Sequence, residues 1–191
     1  MTVGVLAIQG DYDAHRVRLE ELGAQVALVR KPEELDEVDA LIIPGGESST
    51  ILKFLEQPGF FEKLRQFVES RPTFGTCAGA ILLAKEVVGP AQASLGLLDI
   101  RVRRNAYGRQ LESSIRLGES RLTGKPLEMV FIRAPKIERV GRDVEVLATE
   151  SELPVLVKQG HTMAATFHPE LSKDATVHEA FLKMIPALQG C

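Results

Sequence analysis

Five residues near the middle of the chain limit its folding options most: Gly75-Thr76-Cys77-Ala78-Gly79. The β-prone stretch 73–75 leads into them, and the apolar, helix-favouring stretch 78–84 leads out. A strand that enters Gly-x-Cys-x-Gly and leaves as a helix is a nucleophile elbow with sulfur in place of a hydroxyl. The turn is so tight that side chains two before and two after the nucleophile would strike neighbouring elements, and Gly75 and Gly79 remove them. The following helix aims its N-terminus at Cys77, and its partial positive charge favours the reactive thiolate. A cysteine of unknown context is more often a small buried hydrophobe. Glycines on both sides of a strand–helix junction tip the balance to a nucleophile. Cys191, the other cysteine, sits in no motif and is read as inert, and two cysteines make neither a disulfide framework nor a paired metal site.

An elbow needs a sheet to rise from, and the first half of the sequence supplies one. Residues 3–9, 25–29 and 40–43 are apolar and β-rich, and the last of these has the unbroken apolar character of a strand buried on both faces. Between them, 11–22 has helical spacing through Val17, Leu19 and Leu22 and stops at Gly23. Helices are predicted over 48–55 and 60–68, parted by Pro58-Gly59. Alternation of this kind predicts a parallel sheet with helices on both faces. The second half is strand-rich: 100–104, 113–117, 127–132 and 144–149, then a hairpin of 155–158 with 162–167 turning near Gln159-Gly160. A last helix is predicted over 175–188. The expected fold is α/β in three layers, a mostly parallel central sheet with helices on both faces and an antiparallel edge extension, and residues 1–191 are read as one domain.

A thiolate that attacks a carbonyl carbon needs an acid for the leaving group, and histidine has the right proton affinity. Of the four histidines, His168 stands in Phe167-His168-Pro169-Glu170-Leu171, directly after a predicted strand. In an extended segment residues two apart face the same way. Glu170 is thereby placed to accept a hydrogen bond from the His168 ring and fix its tautomer, the orienting role in a triad. His161 is read as solvated in the hairpin turn, His178 as an early residue of the last helix, and His15 as bordering the site at a contact or interface. The oxyanion of a tetrahedral intermediate needs backbone N–H donors, worth about 3 kcal/mol each. Gly45 and Gly46, after the third strand, can turn their amides to a ligand, and Ala78 offers another. Ser48 or Ser49 is expected to cap the next helix.

Composition excludes more than it selects. Hydrophobic residues make up 45% and charged residues 26%, with a net charge of −3 and no block of one sign. Neither a nucleic acid nor a membrane is suggested as partner. No apolar run approaches the length of a transmembrane span. The opening Met1-Thr2-Val3-Gly4-Val5-Leu6 has no basic flank and reads as a strand, so a cytoplasmic location is expected.

Gly-Thr-Cys-Ala-Gly with a late His-Pro-Glu resembles the class I (triad) glutamine amidotransferases. Further segments narrow the likeness: Leu6-Ala7-Ile8-Gln9-Gly10, Pro44-Gly45-Gly46-Glu47-Ser48, Arg104-Asn105-Ala106-Tyr107-Gly108-Arg109-Gln110 and Phe131-Ile132-Arg133-Ala134-Pro135. With these the chain resembles, along its whole length, the glutaminase subunits of pyridoxal 5′-phosphate synthase. The resemblance implies that Cys77 forms a glutamyl thioester with His168 and Glu170 as its partners. It also implies that Gly46, Glu47, Ser48, Arg104, Ile132 and Arg133 hold L-glutamine, and that Gln9 and Gly10 lie by the oxyanion loop at a partner interface. It implies a hetero-oligomer with a (β/α)₈ synthase subunit that receives the ammonia, with no cofactor or metal on this chain. Arg103 and Tyr107 depart from the family pattern, where an acidic residue and Phe are usual. Three other readings stay open: the glutaminase of another synthase, a cysteine hydrolase or DJ-1-like protein, and a catalytically idle binding subunit.

Overall fold

The computed structural model of the protein describes residues 1–105 and 113–186. Residues 106–110 of the Arg-Asn-Ala motif, Tyr107 among them, lie outside the described residues, as do Cys191 and the end of the last predicted helix. In chain order the elements are β1 (Thr2–Leu6), α1 (Tyr12–Glu21), β2 (Gln25–Val29), β3 (Ala40–Ile43), α2 (Ser48–Leu55), α3 (Phe60–Ser70), β4 (Thr73–Thr76), α4 (Ala78–Leu83), β5 (Ala84–Val88), β6 (Leu98–Arg103), β7 (Ser114–Ser120), β8 (Leu127–Phe131), β9 (Lys136–Val140), β10 (Glu145–Glu150), β11 (Leu153–Gln159), β12 (Thr162–Ala165) and α5 (Thr176–Leu182). Short 3₁₀ turns cover Pro32–Glu37 and Pro169–Leu171.

Nine strands form the main sheet in the order β2-β1-β3-β4-β12-β11-β10-β7-β8. From β2 to β12 every neighbouring pair is parallel. From β12 onward every pair is antiparallel, which is the edge extension the sequence predicts. The unbroken apolar run in β3 has the explanation expected of it. Leu41 and Ile43 pack on one face with Ile51, Leu55, Phe60 and Leu64 of α2 and α3. Ala40 and Ile42 pack on the other with Leu19 of α1 and Val177 and Phe181 of α5. Alternate side chains of a strand point to opposite faces, so a central strand covered on both needs apolar residues throughout. Each buried large side chain of this kind contributes about 1.5–3 kcal/mol.

Some elements of the fold differ from the sequence reading. The helix expected over 78–84 forms as α4 but stops one residue early, at Leu83, because Ala84 turns to extended backbone (φ −60°, ψ 143°) to begin β5. Neither β5 nor β9 is visible in the sequence pattern, because both are short and interrupted by charged residues without clean alternation (Ala-Lys-Glu-Val-Val and Lys-Ile-Glu-Arg-Val). They flank β6 in a separate three-stranded sheet, β5-β6-β9, so β6 is not part of the edge extension. On α1, Val17 faces solvent, and the buried stripe is His15 and Leu19, four apart. An apolar periodicity cannot register a buried histidine. No helix among the described residues is long and apolar enough to cross a membrane.

The parallel registers set the site. Ile43 lies opposite Gly75, and Thr76 opposite Ala165, so β3, β4 and β12 end side by side. The loops that leave their carboxyl ends, together with the loop after β1, carry Gly45, Cys77, His168 and Gln9. Ligands of open parallel sheets bind at that edge.

Candidate active site

Cys77 sits at the junction of β4 and α4 with φ 48° and ψ −101°. A left-handed φ in a residue that is not glycine costs on the order of 1–3 kcal/mol and persists only where its surroundings enforce it. Here the enforcement is visible. The Cys77 N–H donates to the Ala165 carbonyl at 2.8 Å, tying the turn to β12. A Cβ on Gly75 would stand 2.6 Å from the Gly79 carbonyl, and one on Gly79 would overlap the carbonyl of Ile43 in β3. Cys77 is 7% exposed, and its sulfur side opens into a cleft of about 280 Å³. That size is close to the lower end of small-molecule sites. Ala78 opens α4, where its N–H has no intrahelical partner.

His168 faces Cys77 across the cleft. Its backbone N–H is held by the Val130 carbonyl at 2.8 Å. The extended geometry expected for 168–170 is not what forms. Pro169 starts a 3₁₀ turn, because its ring fixes φ near the helical value. The turn still folds Glu170 back, and His168 Nδ1 meets Glu170 Oε1 at 2.7 Å, with the carboxylate fully buried. Burial by itself disfavours the imidazolium. Hydrogen bonds to the Cys77 sulfur and to Glu170, with the negative charge of both, outweigh it and raise His168 to about 10. Asp11, which the sequence reading passed over, places Oδ2 3.8 Å from the same Nδ1 and lines the cleft. It stands at the N-terminus of α1 with no capping bond of its own, which frees its carboxylate. Its position in the loop after β1 was the available signal. Asp11, His168 and Glu170 are the group of metal-ligating types that converges within 4.8 Å among the described residues. At 2.7 Å, the His168–Glu170 contact is a proton-bearing hydrogen bond rather than two lone pairs facing an ion.

The oxyanion candidates form a tightly packed loop. Gly45 lies against the His168 ring, where a Cβ would come within 2.5 Å of Cε1. Gly10 backs onto the Gly45 carbonyl, so no side chain fits there either. Gly46 takes φ +149°, a conformation side chains rarely allow. Gln9 reaches over from the β1 loop, and its Oε1 accepts the Glu47 N–H at 2.8 Å.

Of the residues implied to hold substrate, Gly46, Glu47, Ile132 and Arg133 line the cleft beside Cys77 and His168. Arg133 follows β8 with φ 44°, another enforced left-handed residue. Arg104 reaches the cleft through Glu47, with its NH2 3.6 Å from Oε1. Ser48 is buried and donates its hydroxyl to Gln92 Oε1 at 3.0 Å, away from Cys77. The cap of α2 is neither Ser48 nor Ser49 but Glu47. Its carboxylate accepts the Thr50 N–H at 2.9 Å, the Thr50 hydroxyl at 3.0 Å and the Ser49 hydroxyl. Those bonds, led by that from Ser49, lower Glu47 to about 2. A longer carboxylate simply reaches the open N–H groups that the serines leave.

Of the remaining histidines, His178 stands early in α5 as expected. His161 is not free in solvent, since its Nε2 lies 2.9 Å from the Val68 carbonyl. His15 borders the site as expected, at a buried contact with Glu170. It is wholly buried beneath the triad, with His178 beside it.

A strained cysteine at a strand–helix elbow, a histidine and a buried carboxylate on a mostly parallel sheet define a cysteine-dependent amidotransferase architecture of the class I type. The chain belongs to the SNO glutamine amidotransferase family, whose model matches residues 5–187. It is 64% identical over 185 residues to the pyridoxal 5′-phosphate synthase subunit PdxT of Koribacter versatilis, covering 97% of this chain and 96% of that one. To the PdxT of Thermosipho africanus it is 53% identical over 186 residues, covering 97% and 99%. A crystal structure of a glutamine amidotransferase matches with a TM-score of 0.89 and 49% identity, covering 96% of this chain and 98% of that one.

Proposed function

We propose that this chain hydrolyses L-glutamine to glutamate and ammonia and delivers the ammonia to a pyridoxal 5′-phosphate synthase subunit in a cytoplasmic hetero-oligomer. The observation that carries this reading is the grouping of Cys77, His168 and Glu170, with His168 and Cys77 lining one cleft and His168 Nδ1 2.7 Å from Glu170 Oε1. Similarity to PdxT proteins supplies the pathway. The Cys77 thiolate attacks the side-chain amide carbon of glutamine, and the carbonyl π pair moves onto oxygen. The N–H of Ala78 and the amides of the Gly45-Gly46 loop stabilise that oxyanion. His168, protonated, gives its proton to the departing nitrogen, and ammonia leaves a glutamyl thioester. Water, deprotonated by His168, then attacks the thioester, releases glutamate and restores the thiolate. Glu170 holds His168 in the tautomer with Nδ1–H and balances its charge.

Arg133 and Arg104 suit the carboxylate of an amino acid, since a guanidinium matches it with two parallel hydrogen bonds. Glu47 acts by orienting Arg104 and by presenting its backbone, because its own carboxylate is spent on the helix cap. The whole of 1–191 acts as one glutaminase unit in this reading. Its test is ammonia release from glutamine by the purified chain, alone and with the synthase subunit, with Cys77→Ala as the blank. Partner-dependent release supports both the chemistry and the pathway. Release indifferent to the partner leaves the glutaminase and removes the pathway, and no release in either case removes both.

A further inference from the structure

His15 and His178 are both wholly buried, and neither takes part in the chemistry above. They form a short chain behind the triad. His178 Nε2 lies 2.9 Å from His15 Nδ1. His15 Nε2 in turn lies 3.1 Å from Thr76 Oγ1 and 3.3 Å from Glu170 Oε2. That oxygen is buried and takes no hydrogen bond in this structure, so the 3.3 Å approach of His15 Nε2 is an electrostatic contact beside the Thr76 hydrogen bond. His178 Nδ1 meets no polar group. Buried N–H groups are almost never left unpaired, whereas a bare acceptor is tolerated more readily. His178 therefore carries its proton on Nε2 and donates to His15 Nδ1. His15 must then carry its own on Nε2, where it faces Thr76 and Glu170.

We propose that His15 is a positioning residue for the catalytic carboxylate: its Nε2–H, anchored at Thr76 and 3.3 Å from Glu170 Oε2, attracts that oxygen electrostatically, so that Oε1 stays on His168. The terminal torsion of a glutamate is broad and roughly two-fold. An unheld Glu170 could swing Oε1 off the imidazole. The ring is fixed from every side. His178 comes from α5, Thr76 and the edge-on ring of Phe74 come from β4, and Glu170 comes from the 3₁₀ turn. Thr76 precedes Cys77 directly, so one cluster ties the elbow strand to the carboxylate. Both rings are neutral in this setting. Burial, then the nearby His178 and His168, push His15 well below its usual range. Burial, then the charge of Arg18, push His178 to about 3. A neutral donor orients Glu170 without cancelling the charge that His168 needs.

This inference rests on the triad reading, and its test separates the two. Glutamine hydrolysis is measured on the complex with the synthase subunit. Alkylation of the Cys77 peptide by iodoacetamide, followed by mass spectrometry, reports the Cys77–His168 pair whatever the natural substrate is. His15→Leu is expected to lower kcat about ten- to a hundred-fold, the range of lost orienting partners, with KM within about two-fold, and to slow alkylation. His15→Gln keeps an N–H near the Nε2 position and is expected to restore most of both rates. A His15→Leu enzyme with unchanged kcat and alkylation overturns the proposal, and so does a loss that His15→Gln fails to restore. Histidine-selective nitrogen NMR of the unaltered chain decides the matter without any variant. A neutral His15 protonated on Nε2 is required, and protonation on Nδ1 or on both nitrogens overturns it. An unaltered complex that leaves glutamine intact sinks the glutaminase reading, while alkylation and NMR still judge His15.

Discussion

At the residue scale, the site concentrates strain and charge on very few atoms. Cys77 is held at φ 48° by bonds and contacts that do not involve its sulfur. Cys77→Ala is therefore expected to abolish ammonia release while changing stability by no more than about 1 kcal/mol, as read by denaturant unfolding. His168→Ala removes the proton carrier and is expected to cost more in kcat than Glu170→Ala, which removes an orienter. The opposite order in steady-state rates would refute these roles. The pH behaviour follows from the raised proton affinity of His168. Its folded value of about 10 exceeds the unfolded 6.5. The stability it contributes is thus complete below about pH 6.5 and is lost as pH rises toward 10. Glu170→Gln removes the negative charge and one cause of the shift. It should lower the pH at which His168 deprotonates and flatten the alkaline fall in melting temperature. Thermal melts across that range, run beside the unaltered chain, check both statements.

At the scale of elements, the site is built from the ends of strands and the starts of helices. The α2 cap is the clearest example, because Glu47 serves the helix and Arg104 together. Glu47→Ala is expected to cost about 1 kcal/mol, the usual cost of a lost N-cap. Since Glu47 is lowered from 4.5 to about 2, its contribution is present above about pH 4.5 and fades as pH falls toward 2. Urea unfolding at pH 7 and at pH 3 measures both effects. Gly79→Ala tests the contact between α4 and β3. Its methyl would overlap the Ile43 carbonyl, a backbone atom that cannot rotate away. A destabilisation of about 1–3 kcal/mol or more is expected, together with a displaced Cys77 and a loss of kcat. Full activity in a well-folded Gly79→Ala chain would show that the elbow tolerates a wider turn.

At the scale of the whole molecule, the cleft lies where four loops at one edge of the parallel half-sheet meet the segment after β8. One of those loops is pinned by a side chain: Gln9 occupies the Glu47 N–H. A contact of this kind can be remade when a partner touches the β1 loop. The isolated chain is accordingly expected to hydrolyse glutamine slowly, with kcat rising when the synthase subunit binds. Ammonia release at saturating glutamine, titrated with that subunit, measures this. A flat titration would mean that the oxyanion loop is already set in the free chain.

Much of this was legible from residues alone. Gly75 and the unbroken apolar run of β3 act through local sterics and through burial on both faces, so their meaning survives without coordinates. The grouping of Cys77, His168 and Glu170 could be read for the same reason: each sits in a short motif. Tertiary structure decided the rest, because the deciding partners are far apart in sequence. β5 and β9 exist as strands only through pairing with β6. Glu47 caps α2 because its longer side chain reaches N–H groups that Ser48, turned toward Gln92, leaves open. Asp11 joins His168 across 157 residues of chain only because β1 and β12 end at the same edge of the sheet. His15, polar and on a helix of weak amphipathic pattern, gave no sign of burial. Its place behind Glu170 is fixed by the packing of α1 and α5 on one face of the sheet, where hydrogen bonds among distant residues replace the water that a lone histidine would need.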